Sequence, residues 1–164
     1  LVTVADLDRA AQYNPSSISK NGYAFAIAAI PDADHKAAAY KRIMEDSSLS
    51  NDALTSTANG FLRGDVELRT PYYKPFFDSL LSMWDTRSIG MATRIVRGLY
   101  PRSLYNYASA EGTGVSDNPS VALAQEWLRK NPSAPSALRR LILEAQDNAH
   151  RNMIGQQFNS SLSD

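Results

Sequence analysis

The sequence predicts an all-α chain of about eight helices joined as antiparallel pairs. Three observations predict it. Nearly every segment places its apolar residues at helical spacing, and no stretch alternates convincingly at period two. The connections are mostly short and marked by proline. Each helix carries one apolar face, which a neighbouring helix must cover.

The elements follow in order. Val4, Leu7 and Ala11 share a face, and Tyr23, Ile27 and Ile30 form the next one up to Pro31. Asp32 is placed to cap a third helix, with Ala37, Tyr40, Ile43 and Met44 as its apolar face. Ser50 caps a fourth, whose face is Leu54, Ala58, Phe61 and Leu62, and Gly64 supplies a stop. In YYKPFFDSLLSMW, Phe76, Phe77, Leu80, Leu81 and Trp84 make one wide stripe, with Tyr72 and Tyr73 at the helix entry. Ile89, Ala92, Ile95, Val96 and Leu99 face one way in the helix that stops at Pro101. Residues 103–118 hold two glycines and no period, which reads as a long loop. Asn118 and Pro119 suit the start of the next helix, and Leu138, Leu141, Ile142, Ala145 and Ala149 line the last. Residues 1–158 are thus expected to be one helical domain, and residues 159–164 a disordered tail. No clean repeat decides between a bundle and a stacked solenoid.

Composition narrows the function. Lys plus Arg and Asp plus Glu balance at 17 each, against a dedicated nucleic-acid binder, whose affinity comes from neutralised phosphates. Cysteine is absent, so neither disulfides nor thiolate chemistry arise, and a reducing, cytoplasmic setting fits. The longest apolar run, residues 23–30, is far short of the roughly 20 residues a membrane span needs. The first residues lack the basic start of a signal peptide, and the chain opens on Leu1 rather than Met, which reads as a piece of a longer protein.

Candidate chemistry is sparse. His35 and His150 are the two histidines, and neither belongs to H-E-x-x-H. No G-x-S-x-G or phosphate-loop pattern occurs, so no metal or cofactor is expected in this chain. Glu45 with Asp46, and Glu144 with Asp147, read as solvated helix charges rather than acid–base pairs. The rings at 72–84 have the spacing of a buried face rather than of a stacking platform. Arg87, Arg94 and Arg97 remain, together opposite the apolar face at 100° per residue. A helix C-terminus accounts for cations at Arg97 and Arg102 but not at Arg87. Guanidinium groups bind carboxylates bidentately, so the three are candidates for contact with a carboxylate.

Three segments carry a resemblance: HKAAAYKRIMEDSSLSNDALTSTANGF, PYYKPFFDSLLSMWDTRSIGMATRIVRGLYPR and NPSVALAQEWLRKNPSAPSALRRLILEAQDNAHR. In order and spacing they resemble the C-terminal helical domain of bacterial aminopeptidase N, a zinc metallo-aminopeptidase family, and its actinobacterial branch in particular. The resemblance runs from about Pro31 to Arg151. It implies a HEAT-like, right-handed superhelix of helix pairs that encloses the substrate chamber of a separate catalytic domain. The zinc motif H-E-x-x-H and the exopeptidase motif G-x-M-E-N have no counterpart here, so the resemblance implies no catalytic residue and no zinc in this chain, which is expected to be inactive alone. It implies two partners, the parent's own catalytic domain and a peptide substrate, the latter met at Arg87, Arg94 and Arg97; neither nucleic acid nor membrane is expected. The alternative reading is a stand-alone helical adaptor that binds another protein through its grooves.

Overall fold

The computed structural model describes residues 3–13, 15–101 and 118–161. Among them lie eight α-helices and no strand: α1 (Val4–Tyr13), α2 (Ser17–Ala29), α3 (Ala33–Glu45), α4 (Asn51–Phe61), α5 (Tyr73–Thr86), α6 (Ile89–Leu99), α7 (Pro119–Lys130) and α8 (Ser136–Ser161). Two short 3-10 turns, Val66–Leu68 and Thr70–Tyr72, lead into α5. The loop expected over 103–118 lies outside the described residues except for Asn118. Helix persists to Ser161, three residues into the stretch expected to be a tail, and residues 162–164 lie outside the description.

The helix starts are fixed by side chains that satisfy otherwise unpaired N–H groups. Asp32 accepts from His35 N at 2.9 Å, Ser50 from Ala53 N at 3.2 Å, and Asn118 from Ser120 N at 2.9 Å. Ser88 caps α6 in the same way, accepting from Met91 N at 3.3 Å. Gly64, at φ 78°, takes the left-handed turn after α4 that a side chain would disfavour.

The even-numbered helices form a row in which α2 packs on α4, α4 on α6 and α6 on α8. Each odd-numbered helix packs on the even one that follows it. Small residues set the row's spacing. A Cβ on Gly60 of α4 would lie 2.2 Å from the Phe25 carbonyl oxygen of α2, and one on Gly98 of α6 would lie 2.8 Å from Ala58 Cβ of α4. These contacts join C-terminal halves, so α2, α4 and α6 run the same way. Lys36, in the first turn of α3, meets the C-terminal ends of α2 and α4, so α3 runs against them. Arg139 closes the α7–α8 hairpin, its Nη1 donating to the carbonyls of Leu128 at 2.9 Å and Asn131 at 2.6 Å.

One apolar core threads α2 to α8, from Ala28 and Ile43 through Leu54, Phe76, Leu80 and Ile95 to Leu138, Ile142 and Ala149. The rings of residues 72–84 belong to it. Phe76 and Phe77 stand edge-on to each other at 5.1 Å and to Tyr100 at 6.5 and 5.9 Å. Tyr72 joins a second cluster with Tyr40 and Phe61, at 4.7 and 5.5 Å.

Four expected core positions are corrected, Val4 on α1 among them at 41 % exposed. On α3 the inward residue is Lys36, fully buried, while Ala37 is exposed. The rest of that face holds, with Ile43 buried and Tyr40 and Met44 packed against the core, while the lysine ammonium finds two carbonyl acceptors inside. Leu81 (37 % exposed) and Ile89 (72 % exposed) fall at the edges of their stripes, where no helix covers them.

Candidate functional site

The α4–α6 contact builds the groove that contains the sequence-predicted cations. Gly98 against Ala58 lets the two helices approach closely, and the outward residues one turn back then wall a groove of about 360 Å³. Thr55 and Asn59 stand on the α4 side, Thr93, Arg94 and Arg97 on the α6 side. Arg94 and Arg97 are exposed, and among the described residues no acidic side chain lines the groove. Arg94 Nη1 donates to the Gly90 carbonyl of its own helix at 3.2 Å, which holds the guanidinium along the groove edge. Two guanidinium groups beside two hydroxyls and a carboxamide make a donor-rich surface suited to a carboxylate or a similar oxyanion.

Arg87 stands apart from this pair. It is the C-cap of α5, before α6 begins, and does not line the groove. Its Nη2 donates at 2.8 Å to the carbonyl of Met44 in α3, which ties two neighbouring helix ends together. Helical phasing across the α5–α6 junction grouped it with Arg94 and Arg97, but Arg87 is extended at φ −112°, ψ 154°, so the phase does not carry through. Arg102 lies outside the described residues.

The other titratable groups are engaged locally. His35 Nδ1 lies 2.7 Å from Asp32 Oδ2, and His150 is exposed. Glu144 pairs with Arg140 at 2.7 Å and Asp147 with Arg151 at 2.6 Å, while Glu45 and Asp46 lie 3.9 Å from Lys41 and Arg42. All four are exposed or half-exposed i,i+4 pairs of small energetic weight. Among the described residues, no group of three or more His, Cys, Asp and Glu side chains is placed to hold a metal ion. No described helix is long and apolar enough to cross a membrane.

The sequence reading missed two kinds of residue. Thr55 and Asn59 carry a weak signal, their i,i+4 spacing on the polar side of α4. Lys36 carries none, because a lysine between His35 and a run of alanines reads as solvent-facing. Its Nζ donates to Ala28 O at 2.7 Å and Gly60 O at 3.2 Å, and it lies 5.9 Å from the Phe61 ring. Desolvation, helped by the nearby Arg69, pushes its pKa down from 10.5 to about 8, against the opposing pull of Asp32.

These features define, among the described residues, an all-helical protein with a cation-lined groove between α4 and α6. No family model matches the chain. It is similar to aminopeptidase N of Streptomyces lividans, with 29% identity over 143 residues. The similarity covers 86% of this chain, which spans about 15% of the length of that protein.

Proposed function

We propose that the chain is the non-catalytic C-terminal domain of a zinc-dependent aminopeptidase that removes N-terminal residues from peptides. In that parent it encloses the substrate chamber and controls access to it. The observation that carries this reading is the similarity to aminopeptidase N along 86% of the chain, against a small fraction of the relative. In this reading zinc belongs to the parent's catalytic domain. The partners are that catalytic domain and the peptide, and the setting is cytoplasmic.

In the same reading the helix pairs form a HEAT-like right-handed superhelix. The shared direction of α2, α4 and α6 supports this, because a repeated pair places equivalent helices in one parallel row. The row's outward face then turns Arg94 and Arg97 toward the chamber, where they attract the peptide's C-terminal carboxylate. Arg87 serves the joint between α3 and α5.

The reading frame upstream of Leu1 is the test. An H-E-x-x-H with a downstream glutamate there is the expected result. A start codon at that boundary contradicts it and favours a stand-alone helical adaptor.

A further inference from the structure

A second groove, of about 450 Å³, runs between α6 and α8 and shares Arg97 with the first. Its α8 wall is regular. Leu141, Ala145 and Ala149 recur every four residues as a floor, and Glu144, Asn148 and Asn152 recur every four residues as a rim. Tyr100, buried at the end of α6, faces them with its hydroxyl donated to Ser120 O at 3.3 Å. Glu144 is engaged with Arg140, and Asn148 accepts from Arg151 at 3.2 Å, which leaves the Asn148 amide hydrogens directed elsewhere.

We infer that this groove binds the main chain of an extended peptide, with the peptide's carboxyl end lying toward Arg97 and Arg94. The inference rests on the function proposed above and names how that site would hold its substrate. Three features support it. A carboxamide offers one acceptor and two donors, the complement of a peptide unit. Asn148 and Asn152 are one helical turn apart, about 6 Å, and every second residue of an extended chain repeats at about 6.6 Å. The alanine floor leaves room for backbone where larger residues would fill the groove. From Leu141 to Asn152 the wall is about 17 Å long, enough for about five extended residues. Recognition of this kind is indifferent to side chains and sensitive to main-chain N–H groups and to length.

The test titrates the chain with penta-alanine labelled at its amino end, read by fluorescence anisotropy. Three further arms use the same peptide amidated at its carboxyl end, the same peptide N-methylated at alternate residues, and the variant Asn148→Leu/Asn152→Leu. N-methylation and the double variant are each expected to weaken binding roughly tenfold, as loss of two hydrogen bonds does. If N-methylation leaves binding unchanged while amidation weakens it, the main-chain inference is overturned and the carboxylate reading stands. If amidation has no effect while N-methylation does, the groove is upheld and the arginine contact fails. Absence of binding by the unaltered chain at millimolar peptide overturns both.

Discussion

Lys36 Nζ donates a hydrogen bond to the carbonyl oxygen of Ala28 at 2.7 Å, deep between α2, α3 and α4, with no carboxylate among the described residues bonded to it. Both acceptors lie in the last turns of α2 and α4, where Gly60 O also accepts from Arg63 N at 2.9 Å, and the negative ends of the two helix dipoles converge on the ammonium. These acceptors offset only part of the burial, so the amine titrates near 8.

That lowered value fixes a pH dependence. The folded-state pKa lies below the unfolded one, so between about pH 8 and 10.5 the unfolded chain binds more protons at this site, and stability rises with pH. Across the whole window the gain is about 3 kcal/mol. Tyr40, whose phenol burial pushes up to about 12, acts with the opposite sign above pH 10, so urea denaturation between pH 7.5 and 10 isolates the lysine. Subtracting the stability of Lys36→Met from that of the unaltered chain should give a difference that climbs with pH. A flat difference would mean the amine is solvated.

The close row makes a paired prediction about glycines. Gly60→Ala drives a Cβ into the Phe25 carbonyl and should destabilise by about 3 kcal/mol, because backbone rather than a flexible side chain must move. Gly22→Ala, inside α2 with nothing within 4 Å of its new Cβ, should stabilise by about 0.5–1 kcal/mol. Thermal melts of the two variants check the sign of each.

The arginines should separate by role. Arg87→Ala removes the bond to Met44 O and should cost about 1 kcal/mol of stability. Arg94→Ala and Arg97→Ala, at exposed positions, should each stay within about 0.5 kcal/mol. Chemical denaturation of the three single variants gives the comparison, and equal losses would dissolve the distinction.

The helices and their caps were legible because capping chemistry is local: Asp32, Ser50 and Asn118 announce themselves within three residues. Phase within a helix was legible at the centre of an apolar stripe, as at Phe76, Phe77 and Leu80, and not at its edges, where Leu81 and Ile89 are exposed. It failed on α3, where Ala37 and Lys36 differ in depth for a reason that lies on other helices, the carbonyls of Ala28 and Gly60. The candidate site was half legible. Arg94 and Arg97 share one helix and keep their phase, whereas Arg87 sits across a break in it. Thr55, Asn59, Asn148 and Asn152 reach the grooves from α4 and α8, and only tertiary packing brings them there.

The most direct measurement is kcat/KM of the proposed full-length parent aminopeptidase carrying Arg94→Ala/Arg97→Ala, on a peptide with a free carboxyl end, on its carboxyl-terminal amide, and on a small aminoacyl substrate. The account predicts roughly tenfold loss on the free-carboxylate peptide, the scale of one charge-assisted contact, with the amide and the aminoacyl substrate unaffected. Equal losses on all three substrates, or none on any, would contradict a carboxylate contact in the α4–α6 groove.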